Sequence, residues 1–242
     1  MSLLHINYFS AALEKQSAMY AILPTGDGPF RTMYMLHGLS DDYTIWLRRT
    51  SIERYADELG ICVVLLDGAR SFYTDAENGG AKYEQHILES VAFIDRTLHT
   101  VNAPEARGIG GLSMGGYGAM KLGLKHPEIF GSVASHSGVL DLATFVDLGN
   151  NPEFTAIFGA HVAPTEDCFA LAETPGAKPA LYIDCGEDDF LIEHNRRFHA
   201  HLTQLGIAHE YAEYPGAHSW EYWDQHVPAA LRFHLAHSAA HA

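Results

Sequence analysis

Short, continuously apolar runs alternate along this chain with longer stretches whose apolar residues recur on one helical face. The runs at residues 19–23, 32–37, 61–67, 108–112, 132–135, 180–184 and 210–214 read as strands. Residues 50–59, 83–99, 114–126, 191–205 and 222–237 read as helices. In the stretch 83–99, Ile87, Val91, Ile94 and Leu98 follow one another at spacings of four, three and four, which is a single apolar stripe. The central strand runs are apolar throughout rather than alternating, as in strands covered on both faces. Strand–helix alternation of this kind predicts an α/β protein with a mainly parallel central sheet, right-handed crossovers and helices on both faces. Helix ends are punctuated by Lys125-His126-Pro127 and by Gly206. Residues 140–178 have weak periodicity and are too short to bury a core of their own. They read as an insertion over the active edge of the sheet, and the chain 1–242 as one domain.

Composition narrows the function classes. The 242 residues include 15 basic and 30 acidic side chains, a net charge of −15 with histidine neutral. Such a surface repels phosphate backbones and anionic headgroups, which argues against nucleic acid and membrane surfaces as partners. No apolar stretch approaches membrane-spanning length. Cys62, Cys168 and Cys185 are odd in number and have no C-x-x-C spacing, so they read as thiols of a reducing compartment. The first residues have neither the basic start nor the apolar run of a signal peptide, and the expected location is cytoplasmic.

The strongest chemical signal is Gly111-Leu112-Ser113-Met114-Gly115, a G-x-S-x-G pattern between a strand run and a helical pattern. A sharp strand-to-helix turn lifts the serine hydroxyl above the sheet edge, and the flanking glycines let backbone pass closely. A serine nucleophile needs a base and an orienting acid, here in the chain order Ser, Asp, His. His218 follows the run 210–214 in a strand-end turn beside Gly216, the right place for the base. The acidic turn Glu187-Asp188-Asp189 follows the run 180–184, and spacing alone leaves Asp188 and Asp189 both open. An oxyanion needs two N–H donors, which the amides of Met114 and of Leu39, after His37-Gly38, can supply. Trp46 and Trp220 flank these loops and are candidate substrate-pocket residues. His194, His199 and His201, and His234, His237 and His241, lack the spacing of a metal site, so no metal is expected.

Together, LHGLSDDYTIWLRRT (36–50), GLSMGGYGAM (111–120), CGEDDFL (185–191) and PGAHSWEYW (215–223) resemble the esterase D family of α/β-hydrolases. That family includes tributyrin-type and cinnamoyl esterases, S-formylglutathione hydrolases and the antigen 85 mycolyltransferases. The match is nearest to small bacterial short-chain carboxylesterases. The resemblance implies an α/β-hydrolase fold with a short insertion in place of a large cap. It also implies Ser113 as nucleophile, His218 as base and Asp189, rather than Asp188, as acid, with Leu39 and Met114 forming the oxyanion hole. The implied activity is hydrolysis of short-chain acyl esters with no cofactor; relatives of this compact architecture commonly self-associate, so a homo-oligomer is one of the open oligomeric states. The competing readings are an S-formylglutathione hydrolase, a feruloyl or acetyl-sugar esterase, an acyltransferase and a non-catalytic binding module.

Overall fold

The computed structural model describes residues 1–238, and its frame is one eight-stranded sheet. The strands are β1 (Ser2–Ser10), β2 (Lys15–Leu23), β3 (Thr32–Leu36), β4 (Cys62–Leu66), β5 (Arg107–Leu112), β6 (Ser132–His136), β7 (Ala180–Gly186) and β8 (Glu210–Tyr214). Their order across the sheet is β1-β2-β4-β3-β5-β6-β7-β8. β1 and β2 form an antiparallel hairpin that joins β4 antiparallel, and every other pairing is parallel.

The helices are α1 (Ile45–Arg49), α2 (Ile52–Leu59), α3 (Tyr83–Thr97), α4 (Met114–Lys125), α5 (Leu142–Phe145), α6 (Pro152–Phe158), α7 (Cys168–Glu173), α8 (Ile192–Gln204) and α9 (Trp220–His237). Successive residues of the central strands face opposite ways. Tyr34, Leu36 and Val64 pack in one core with Ile87 and Val91 of α3, Met120 of α4 and Phe198 of α8. Met33, Met35, Val63 and Leu65 pack in the other with Ile52 of α2 and Val227 of α9. Both faces are therefore apolar, which is why these strands carry no polar alternation.

All the expected strands and long helices are present, and the fold is the α/β-hydrolase arrangement of a mostly parallel sheet between helices. The reading above missed β1. Its pattern does alternate, with Leu4, Ile6 and Tyr8 turned inward and Leu3, His5, Asn7 and Phe9 exposed. Residues 140–178 form no strand; they hold α5, α6, α7 and a 3₁₀ turn at Pro164–Glu166. Asp141, Asn151 and Asp167 each cap the following helix with a side-chain acceptor. Among the described residues, no helix is long and apolar enough to cross a membrane.

Candidate active site

Four strands end on the same edge of the sheet, and the segments that follow them build the site. β5 runs into Ser113, the residue that starts α4, with φ 54° and ψ −117°. A non-glycine residue there is strained, and the surroundings hold it in place. The Ser113 amide donates to the His136 carbonyl at 2.9 Å, and the Ser113 carbonyl accepts from the Tyr117 and Val139 amides at 3.0 and 3.2 Å. The turn also needs its glycines. A Cβ on Gly115 would stand 2.5 Å from the Leu36 carbonyl oxygen, and one on Gly111 would stand 2.6 Å from Gly115 backbone.

His218, in the turn between β8 and α9, places Nε2 3.0 Å from Ser113 Oγ. Its Nδ1 lies 2.9 and 3.0 Å from the two carboxylate oxygens of Asp189. Because the carboxylate can only accept, Nδ1 carries the proton, which leaves Nε2 a lone pair facing the serine hydroxyl. The Asp189 side chain is fully buried and also accepts the Leu191 amide at 2.8 Å. Asp188 is exposed and does not reach His218; its amide donates to the Gly216 carbonyl. The His218 ring is flanked by Phe190 at 4.6 Å and stands edge-on to Trp223 at 4.9 Å.

Leu39 and Met114 line the same cavity as Ser113 and His218, whose volume is about 360 Å³. As the first residue of α4, Met114 has an amide with no partner inside the helix. The turn that carries Leu39 is braced by His37. Its Nε2 accepts the Gly68 amide at 2.9 Å, so its Nδ1 donates to the Gly38 carbonyl at 2.8 Å.

Trp220 lines the cavity, but Trp46 does not. The pocket expectation for Trp46 needs correcting: it is fully buried, donates Nε1 to the Leu36 carbonyl at 3.1 Å and meets Trp220 edge-on at 5.3 Å from behind. Sequence reading missed Phe72, Phe145 and Phe190, which wall the cavity, and Asp41 at its polar side. The aromatic content of the insertion was a signal for Phe145. Nothing local marked Phe72, which reaches the cavity from the loop after β4.

The histidine clusters are dispersed. His199 pairs with His209 at 2.7 Å, His234 with Ser132 at 2.7 Å, and His237 donates to the Phe233 carbonyl at 2.9 Å, while His241 lies outside the described residues. Among the described residues, no group of three or more His, Cys, Asp or Glu could hold a metal ion. A second cavity, of about 560 Å³, opens where β7 and β8 begin, lined by Lys178, His209 and Phe233, and it contains none of the Ser113 chain.

A partly buried strand-to-helix serine that lines a cavity, a lone-pair imidazole and a buried carboxylate in one hydrogen-bonded row define the architecture of a serine hydrolase. The comparisons agree. The structure superposes on FphF, a fluorophosphonate-binding serine hydrolase of Staphylococcus aureus, with a TM-score of 0.90 and 29% identity, covering 97% of this chain and 98% of that one. It superposes on the S-formylglutathione hydrolase FrmB of Staphylococcus aureus with a TM-score of 0.87 and 30% identity, covering 97% and 100%. An acetyl esterase of Caldicellulosiruptor saccharolyticus is 28% identical over 96% of this chain and 98% of its own length. The protein is a serine ester hydrolase of the α/β-hydrolase fold. It belongs to the Esterase family, whose model matches residues 10–234.

Proposed function

We propose that the protein is a carboxylesterase that hydrolyses short-chain acyl esters through Ser113, His218 and Asp189. The observation that carries this reading is the hydrogen-bonded row from Ser113 Oγ through the His218 ring to Asp189. His218 Nε2 takes the hydroxyl proton as Ser113 Oγ attacks the ester carbonyl. The amides of Leu39 and Met114 then receive the oxyanion, each donor contributing about 3 kcal/mol to the transition state. His218 returns the proton to the departing alcohol, and water attacks the acyl-enzyme by the same route reversed. Asp189 stays ionised, holding the imidazole in the productive tautomer. The residues present complete this chemistry without a metal or an organic cofactor.

Phe72 and Phe145, packed ring to ring at 6.2 Å, and Val139 give the cavity an apolar lining that suits a short acyl group. The acetyl esterase relative supports the same substrate size. Three buried free thiols, Cys62, Cys168 and Cys185, support a reducing, cytoplasmic setting.

A thioester reading is favoured by the likeness to FrmB, an S-formylglutathione hydrolase. Against it, among the described residues no lysine or arginine lines the cavity to receive glutathione carboxylates. The test is an initial-rate panel of p-nitrophenyl acetate, butyrate and octanoate with methyl ferulate and S-formylglutathione, on wild type and Ser113→Ala. Preference for acetate or butyrate, lost in the variant, is the expected result. Faster thioester turnover would transfer the enzyme to the second reading, and rates unchanged in Ser113→Ala would overturn the nucleophile.

A further inference from the structure

The cavity at Ser113 has two chemically different walls. Phe72, Leu112, Val139 and Phe145 offer only apolar surface. The polar lining comes from Ser40 and Asp41, just after Leu39, and from Ser219, just after His218, with Trp220 beside it. Because His218 Nε2 returns the proton, the leaving alcohol oxygen must lie on the His218 side of Ser113, in the cavity that Ser219 and Trp220 also line. Both polar segments line the cavity that holds Ser113 and His218.

Among the described residues that line the cavity, Asp41 is the one Asp, Glu, Lys or Arg. It is half-buried, its own amide closes a turn onto the Gly38 carbonyl at 3.2 Å, and the Gly38 amide bonds its carboxylate. Burial is the largest influence on this carboxyl and raises its pKa; the neighbouring Asp42 charge adds to the rise, and the Gly38 amide and the Arg49 charge offset it only in part. Among the described residues Asp41 has no ion-pair partner within 4.0 Å, and no lysine or arginine lines the cavity. A substrate anion would meet this unpaired carboxylate in a partly dry space, where Coulomb repulsion is stronger than in water.

We propose that Asp41 is the specificity-determining carboxylate of the alcohol side, admitting esters of neutral, hydroxyl-rich or cationic alcohols and rejecting anionic ones. The inference rests on the esterase reading above and names the substrate class within it. A polyol can donate hydroxyls to Asp41, and a quaternary ammonium can sit between that charge and the Trp220 ring.

Three acetate esters test it: those of 4-hydroxybenzoate (anionic), methyl 4-hydroxybenzoate (neutral) and 4-hydroxyphenyltrimethylammonium (cationic). The readout is the ratio of kcat/KM between esters within one enzyme, which cancels any general damage from a substitution. Asp41→Asn is expected to raise the anionic-to-neutral ratio on the order of tenfold and to lower the cationic-to-neutral ratio, whereas Asp41→Glu keeps both near wild type. In wild type alone, added salt is expected to shrink the discrimination, so the test survives a poorly folding variant. Ratios that are the same in wild type and Asp41→Asn, or a wild type indifferent to charge and salt, would overturn the role of Asp41 and leave the esterase reading standing. Failure to cleave all three esters would overturn both.

Discussion

Asp184 and His136, neighbours in register on β7 and β6, form a second His–Asp pair that solvent does not reach. His136 Nδ1 donates to Asp184 Oδ2 at 2.8 Å, and Asp184 Oδ1 accepts the Tyr222 hydroxyl at 3.1 Å. This pair sits directly behind the candidate nucleophile, because the His136 carbonyl holds the Ser113 amide. Tyr222 lies in the first turn of α9, close after His218, so one buried carboxylate ties both reacting loops to the sheet.

Asp184→Ala leaves a buried imidazole N–H and a buried phenol without acceptors. The expected cost is about 2–4 kcal/mol of stability. A lower midpoint in urea with an unchanged slope is the check, and a variant as stable as wild type would show the pair to be dispensable.

Asp189 and Asp188 separate cleanly by kinetics. Asp189→Asn frees the imidazole to adopt the wrong tautomer and is expected to lower kcat by about 10³- to 10⁴-fold, the range known for such triads. Asp188→Asn, at an exposed carboxylate, should change kcat by less than about twofold. Equal losses at both positions would contradict the geometry at His218.

Acid should unfold the protein before it damages the chain. Burial depresses His86 and His234 from the usual 6.5 to about 4. Between about pH 6.5 and 4 the unfolded chain therefore binds protons that the folded chain refuses. Stability is full above that window and is lost as pH falls through it, by roughly 3 kcal/mol per histidine at the limit. Thermal melts from pH 7.5 to 4.5 should show a falling Tm, less steep in His86→Gln. A flat profile would remove this explanation.

Lys121, fully buried on α4, bonds Glu84 at 3.0 Å, Glu166 at 2.8 Å and the Tyr73 carbonyl at 2.7 Å. Burial alone would raise the Glu84 pKa, but hydrogen bonds from His126, Lys125 and Lys121 and the Lys121 charge outweigh it and hold it well below the usual range. Lys121→Met leaves two carboxylates short of a cation and is expected to cost about 3–5 kcal/mol. Since Glu166 lies in the insertion, limited proteolysis should cut within 140–178 sooner in the variant.

Chain-length preference should follow Phe145. Its ring closes the cavity against Phe72. Phe145→Ala is expected to raise the octanoate-to-acetate ratio of kcat/KM at least tenfold, since each newly accommodated CH₂ contributes about 0.8 kcal/mol. An unchanged ratio would mean that the acyl chain lies elsewhere.

What could be read from the sequence followed from local necessity. Ser113 between Gly111 and Gly115 was legible because that turn has room for almost no other residue, and the two-sided burial of β3 and β4 because it leaves continuous apolar runs. Asp189 was not separable from Asp188 by spacing, as one residue decides whether a side chain points into the core or into water. Trp46 was misplaced for a related reason. It flanks the right loop, but α1 turns it under the cavity floor, onto the Leu36 carbonyl. The insertion helices are four to seven residues long, too short to show a period, although their caps at Asp141, Asn151 and Asp167 stand in the sequence. β1 shows its alternation plainly, but its pairing with β2 is a property of the hairpin rather than of either strand alone.

The backbone at Ser113, φ 54° and ψ −117°, belongs to a conformation that glycine enters freely and a serine only under constraint. At this one position the proposed nucleophile is a poor choice for folding, and the residue that suits the turn has no hydroxyl. Ser113→Gly should therefore yield a protein without activity that is no less stable than its parent. Selection for stability alone would erase this serine; its presence in the strained turn fits a demand that comes from the proposed chemistry rather than from the fold.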